Sequence, residues 1–222
     1  MTKSLVVAVD GPSGSGKSST ARGVADRLHL AYLDTGAMYR AMTWALLQAG
    51  TDLTDPQTIA EAVQGVRLES GVDPLRPTIH ADGVDVAEAI RGEDVTATVS
   101  QVAAVPAVRE QLVTLQRTTI TDNGHRIVVE GRDIGSTVAP DADFKFFLIA
   151  DPAARAARRA AEHGSTDTTA TEQALARRDE IDSTRAASPL AKAEDAVLVD
   201  STYMSLEQVI DTIVGLVEKG QS

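Results

Sequence analysis

The segment Gly11-Pro12-Ser13-Gly14-Ser15-Gly16-Lys17-Ser18 restricts the possible folds of this chain more than any other stretch. It fits the spacing G-x-x-x-x-G-K-[ST] at every fixed position. Before it runs Leu5-Val6-Val7-Ala8-Val9, a continuous Val-rich stretch that reads as a strand buried on both faces of a parallel sheet. After it, Ala21, Val24, Ala25 and Leu28 recur at helical spacing between Lys17 and Leu28. Strand, glycine-rich turn and helix are what a phosphate needs: glycines let backbone N–H groups curl around it, and the helix N-terminus adds partial positive charge. In such a loop Lys17 reaches the outer phosphates of a triphosphate, and the Ser18 hydroxyl is placed to ligate Mg²⁺.

The strand–helix alternation continues. Ala31-Tyr32-Leu33 reads as a short strand, followed by Asp34-Thr35-Gly36 and a helix from Ala37 to Gln48 that Gly50 ends. Between Thr51 and Val105 the rhythm breaks into β-like pieces around Val66 to Leu68, Thr78 to Ala81 and Val84 to Val86, which reads as an insertion. Helix returns from Ala107 to Thr121, then strands at Arg126 to Val129 and Phe144 to Ile149. Two Ala-rich helices, Ala153 to Ala161 and Ala170 to Ile181, are joined by the Gly-Ser-Thr-Asp-rich link Gly164 to Thr169, a candidate hinge. Ala196 to Asp200 closes the sheet, and Leu206 to Val217 reads as an amphipathic helix with Leu206, Val209, Ile210, Ile213 and Val217 on one face. The expectation is an α/β, three-layer P-loop NTPase fold with a five-stranded parallel sheet.

Composition limits the function. A chain of 222 residues suits one domain, or one domain with an insertion. Its net charge of −11 disfavours a nucleic-acid polymer or an anionic membrane as partner, while small anions remain open. Zero cysteines exclude disulfides, thiolate metal sites and a thiol nucleophile. The opening ten residues are too short for a secretory signal, and no stretch reaches about 18 apolar residues, so a cytoplasmic protein is expected. His29, His80, His125 and His163 lack metal-ligand spacing and receive no role.

The basic residues point to a second anion. Sixteen of the twenty-one are Arg, the residue whose planar fork grips phosphate in two places. Arg155, Arg158 and Arg159 fall at i, i+3, i+4, and Arg178, Asp182 and Arg185 at i, i+4, i+7, so each trio shares a helix face. An isolated trio would read as a solvated surface, but two flanking a hinge-like link suggest a lid.

Taken together, the glycine-rich loop, Leu33 through Arg40, Ser100-Gln101-Val102-Ala103-Ala104, Glu130 through Ser136, and Arg178 through Arg185 resemble the bacterial cytidylate kinases, nucleoside-monophosphate kinases of the P-loop class. The resemblance implies a core of residues 1–34, 107–150 and 170–222, a nucleotide-binding insertion over 35–106 and a lid over 151–169. It implies transfer of the γ-phosphoryl group of ATP to CMP or dCMP, with Mg²⁺, by a monomer. It assigns ATP to Gly11, Pro12, Ser13, Gly14, Ser15, Gly16, Lys17, Ser18 and Ser19, with Arg155, Arg158 and Arg159 closing over the phosphates. It assigns the acceptor phosphate to Arg40, Arg132 and Arg185, the ribose to Arg178 and Asp182, and the base to Ser100, Arg109 and Asp133. An Arg donor beside an Asp acceptor suits cytosine, which offers N3 and O2 acceptors next to an N4 donor; uracil presents N3–H and O4 in the opposite sense. Thr35 is implied to touch the acceptor nucleotide, and its residue type also suits a helix N-cap. Asp34 suits either a turn or the orientation of metal-bound water, and Glu130 stands where many members carry Asp. The rival readings are a P-loop kinase for another small acceptor, such as shikimate, and a nucleotide-dependent switch, although no Asn-Lys-x-Asp guanine motif occurs.

Overall fold

A Val-rich strand can lie at the centre of a sheet only if neighbours cover both its edges and both its faces, and β1 (Leu5–Asp10) is buried along its whole length. The computed structural model of the chain describes residues 3–163, 167–185 and 188–221. The other strands are β2 (Ala31–Asp34), β3 (Leu68–Ser70), β4 (Ile79–Ala81), β5 (Val84–Asp85), β6 (Arg126–Gly131), β7 (Phe144–Ile149) and β8 (Val197–Asp200). The helices are α1 (Lys17–Arg27), α2 (Thr35–Gln48), α3 (Pro56–Ala62), α4 (Glu93–Ala104), α5 (Pro106–Asp122), α6 (Pro152–His163), α7 (Thr168–Thr184) and α8 (Leu206–Gln221).

Five strands form one parallel sheet in the order β2-β6-β1-β7-β8. Successive residues of β1 feed opposite layers: Val6 and Ala8 join the core under α2 and α5, while Leu5, Val7 and Val9 join the core under α1 and α8. The expected three-layer α/β architecture is therefore present. From β1 the chain crosses to β2 on one side, and it later adds β7 on the other. The C-terminal ends of β1 and β6 thus flank a crevice at a topological switch point, where such sheets bind ligands.

Several element boundaries differ from the sequence reading. The second helix starts at Thr35, not Ala37, because Asp34 is its N-cap and accepts the Ala37 N–H at 2.8 Å; Thr35 is not the cap. The interrupted region holds two helices that its mixed composition concealed, α3, started by Asp55 as cap with Pro56 behind it, and α4. The first β-like piece lies two residues later than read, because Val66 closes a turn onto Val63 and Leu68 is the first residue to pair, opposite Ala81. β3, β4 and β5 form a separate antiparallel sheet, with His80 half-buried inside β4. Leu206 leaves the buried face of α8 and is 46% exposed, whereas Val209, Ile210, Ile213 and Val217 are buried as expected. Of the candidate hinge, Gly164 to Thr166 lie outside the described residues, and Asp167 caps α7 by accepting the Ala170 N–H.

Phe146 is among the largest fully buried side chains and packs in the α1–α8 layer. Phe146→Ala is expected to lower the unfolding free energy by about 3–5 kcal/mol. Tyr203→Ala, at a side chain 94% exposed, should change it by less than about 0.5 kcal/mol in the same denaturant titration.

Candidate active site

The glycine-rich loop joins β1 to α1 and bends as only glycine readily allows. Gly16 has φ 85°, in the left-handed region, and a Cβ on Gly11 would lie 2.2 Å from the Leu148 carbonyl oxygen of β7. No side chain caps the first turn of α1, which leaves the helix N-terminus to an anion. Lys17 folds back over the loop and donates from Nζ to the Pro12 carbonyl at 3.0 Å. Burial and the neighbouring Arg132 guanidinium push its amine down to about 7, against the pull of Glu130 and Asp179.

Carboxylates from neighbouring elements surround this loop. Ser18 Oγ donates to Glu130 Oε1 at 2.6 Å, and the Tyr32 hydroxyl donates to the same oxygen at 3.3 Å. Burial, with the charge of Asp34 adding to it, raises the Glu130 carboxyl. Arg132, at the end of β6, donates from Nη1 to the Gly11 carbonyl at 3.0 Å, from Nη2 to Ser13 Oγ at 2.6 Å and from Nε to Asp182 at 2.9 Å. From α6 and α7, Arg155 pairs with Asp179 and donates to the Ser13 carbonyl at 3.0 Å, while Asp179 accepts the Ser13 N–H at 2.9 Å. Arg158 donates to Ser201 at its side chain and carbonyl, 3.0 and 2.6 Å away. The two arginine-bearing helices therefore rest directly on the loop.

Away from the loop, Arg109 of α5 pairs with Asp133 in the protein interior, and its guanidinium lies 5.6 Å from the centre of the Tyr39 ring. Arg185 Nη2 stands 3.4 Å from the other Asp133 oxygen. Arg185 is the residue after α7 rather than part of it, yet it still shares the cleft with Arg178 and Asp182. Arg40 donates to the Ile90 carbonyl and to Thr96 Oγ1, both at 2.9 Å. Burial, with further arginines nearby, pushes Arg40 down to about 9 and Arg178 down to about 10. Thr35 Oγ1 donates to the Glu130 carbonyl at 2.7 Å, which ties the start of α2 to β6.

Many of these groups line one cleft of about 1030 Å³, open to solvent, although Gly11, Pro12 and Arg155 are not among its lining residues. Its walls carry seven cationic side chains, Lys17, Arg40, Arg91, Arg132, Arg159, Arg178 and Arg185, against four acids, Asp34, Glu130, Asp133 and Asp182. Ser13, Gly14, Ser18, Thr35 and Ser100 are there too, so most residues singled out in the sequence converge. Arg109 lies behind the wall, against Asp133. Ser15, Gly16, Ser19 and Arg158 face a second cavity of about 580 Å³ instead, together with Ser201, Met204 and Leu206. The sequence reading missed Tyr39, Arg91, Asp179, Ser201 and Met204. Tyr39 and Asp179 lie inside the Leu33–Arg40 and Arg178–Arg185 blocks, next to Arg40 and Arg178; Arg91, Ser201 and Met204 carry no local signal. Among the described residues no cluster of three or more His, Cys, Asp or Glu side chains is arranged as a metal cage.

Because burial and the Arg132 charge push Lys17 down to about 7, a polyphosphate beside it pulls the amine back toward its ordinary pKa. ATP binding at pH 8 without Mg²⁺ should therefore take up roughly one proton. Calorimetry in two buffers of different ionisation enthalpy measures this, and the uptake should vanish in Lys17→Met and in the parent at pH 6.

The family model for cytidylate kinase matches residues 7–219. A cytidylate kinase of Streptomyces avermitilis is 54% identical over 215 residues, covering 97% of this chain and 93% of its own. One from Rhodococcus jostii is 51% identical over 222 residues, covering 98% and 96%. Among solved structures, an uncharacterised protein from Eubacterium ventriosum aligns over 98% of this chain and 99% of its own with TM-score 0.53 at 11% identity, a likeness of fold alone. With a match that begins inside β1 and ends inside α8, the chain belongs to the cytidylate kinase family.

Proposed function

We propose that the protein moves the γ-phosphoryl group of ATP to the 5′-phosphate of CMP or dCMP, giving ADP and CDP or dCDP. The observation that carries this reading is the pairing of two unlike ends in one cleft. At one end lies a phosphate loop; at the other Ser100 and Asp133 line the wall, with the buried Arg109 guanidinium paired to Asp133 directly behind it, so that an acceptor and a donor stand side by side. That pattern matches the N3, O2 and N4 edge of cytosine and opposes uracil.

The acceptor is an oxyanion at neutral pH, so no general base is required. An acceptor phosphate oxygen attacks the γ-phosphorus while the bond to the β–γ bridging oxygen breaks, and that electron pair stays on ADP. Catalysis is then positioning plus charge neutralisation. Lys17 and the loop amides hold the donor phosphates. Arg40, Arg132 and Arg185 grip the acceptor phosphate, Arg178 and Asp182 hold the ribose, and Ser100, Arg109 and Asp133 read the base. Arg155, Arg158 and Arg159 keep the lid down over the phosphates and exclude water, which would otherwise accept the phosphoryl group.

The oxygens of Ser18, Glu130 and Asp34 fit a hard cation that takes its remaining ligands from phosphates and water, because Ser18 Oγ already lies 2.6 Å from the raised Glu130 carboxyl. When bound, Mg²⁺ offsets the negative charge of the donor phosphates. A monomer belongs to the same proposal. Substrates of this kind and a cysteine-free chain support the cytoplasm. The division into core (1–34, 107–150, 170–222), nucleotide-binding insertion (35–106) and lid (151–169) belongs to the same proposal.

ADP formation measured against CMP, dCMP, UMP, AMP and shikimate tests the reading. CMP and dCMP should be phosphorylated, with kcat/KM for UMP lower by at least about tenfold; product from another acceptor but none from CMP would sink it. Lys17→Ala should lower kcat by about 10²–10³. Arg132→Ala and Arg185→Ala should each raise KM for CMP by about 10-fold or more, the value of a charge-assisted hydrogen bond to phosphate.

A further inference from the structure

Asp10 is the last residue of β1, immediately before the glycine-rich loop, and the motif that defines the loop begins one residue after it. It is 5% exposed, unusually buried for an aspartate. Its Oδ1 accepts the Ile134 N–H at 2.9 Å and its Oδ2 accepts the Gly135 N–H at 2.8 Å. Those two amides open the π-type turn Ile134–Val138, which follows Arg132 and Asp133 without a gap. Wide turns of this type cluster at functional sites.

The surroundings leave the turn little freedom. In the sheet Asp10 lies opposite Gly131 of β6, one residue before Arg132. A Cβ on Gly131 would meet Ile134 Cδ1 at 2.6 Å, and one on Gly135 would meet Lys145 Cδ at 3.1 Å. Turn and strands are therefore packed without slack, and the Asp10 carboxylate is the polar link across that contact. Burial pushes its carboxyl up to about 6, with the two N–H bonds and Lys17 pulling the other way, so at neutral pH both oxygens are committed acceptors.

We propose that Asp10 is a positioning residue: by clamping the Ile134 and Gly135 amides to the end of β1, it fixes the Arg132–Asp133 segment relative to the phosphate loop and so sets how sharply the acceptor base is discriminated. Arg132 and Asp133 stand back to back on this segment, one bonded to the loop at Gly11 and Ser13, the other paired with Arg109. A shift of the turn therefore moves the phosphate-facing and base-facing groups together. The proposal rests on reading the cleft as a CMP site, and it adds a residue that would touch neither substrate.

The test is the ratio of kcat/KM for CMP to that for UMP, measured with ATP in the parent, Asp10→Asn and Asp10→Glu. A ratio does not depend on what fraction of the enzyme is folded, so a merely stabilising role would leave it unmoved. Asparagine turns an NH₂ toward one amide, and glutamate displaces the charge by one methylene. Each is expected to lower the ratio by about fivefold or more, as loss of about one buried hydrogen bond would, mainly through KM for CMP. Amide hydrogen exchange at Ile134 and Gly135 should quicken in both variants while Val7 in β1 stays protected. A parent that prefers CMP, with both variants keeping its ratio within about twofold, overturns the clamp, as does unchanged exchange at the two amides. A parent that does not discriminate CMP from UMP overturns the reading of the site instead, and exchange then still decides whether the clamp exists.

Discussion

The structure depends on how cationic side chains are brought together at the C-terminal edge of a parallel sheet. Burying like charges costs several kcal/mol per group unless each is paired. Here three aspartates supply the pairing. Asp133 lies between Arg109 and Arg185, Asp182 holds Arg132, and Asp179 holds Arg155 while also taking the Ser13 N–H. Asp133 follows β6, and the other two are one turn apart on α7. Compensation is incomplete: Lys17, Arg40 and Arg178 all have depressed pKa values, driven first by burial. Unspent positive potential of this kind draws in phosphates, and it explains how a chain of net charge −11 can hold a cationic cleft.

The same pairs connect the parts. Arg132 bonds the loop after β1 and a residue of α7 at once, and Arg155 does so from α6. On the proposed function, a phosphate entering the loop would compete with Asp179 and Asp182 for these guanidiniums. Ligand binding is then an exchange of one anion for another, which keeps the electrostatic cost low in both states and couples the loop to the α6–α7 pair. On that reading the aspartates hold the guanidiniums that phosphate oxygens would take.

How far the sequence discloses this varies with the kind of constraint. The glycine-rich loop is legible because backbone geometry allows few alternatives at Gly11 and Gly16. The five strands are legible because each is a compact apolar run. Asp34 illustrates the intermediate case: its residue type allows a cap, a turn or a ligand, and only the 2.8 Å bond to Ala37 shows that it starts α2. The helices α3 and α4 were concealed by the Gly, Pro and Asp around them. The acidic partners of the arginines were legible only in part: Asp133 and Asp182 stand in the motifs that carry the family resemblance, whereas Asp179 meets Ser13 across 166 residues and no local spacing encodes that contact. Likewise the arginines at 155, 158 and 159 share a helix face, yet the first two grip carbonyl groups and only the third lines the main cleft.

The most direct test of the exchange of partners is a crystal structure of the protein with CMP, ADP, Mg²⁺ and aluminium fluoride in place of the transferred phosphoryl group. The account predicts that Arg132 and Arg155 have left Asp182 and Asp179 and point their guanidiniums at the fluoride and phosphate oxygens, with Arg109 and Asp133 still paired against the base. Guanidiniums that keep their aspartate partners, with the phosphates held by Lys17 and backbone amides alone, would contradict it.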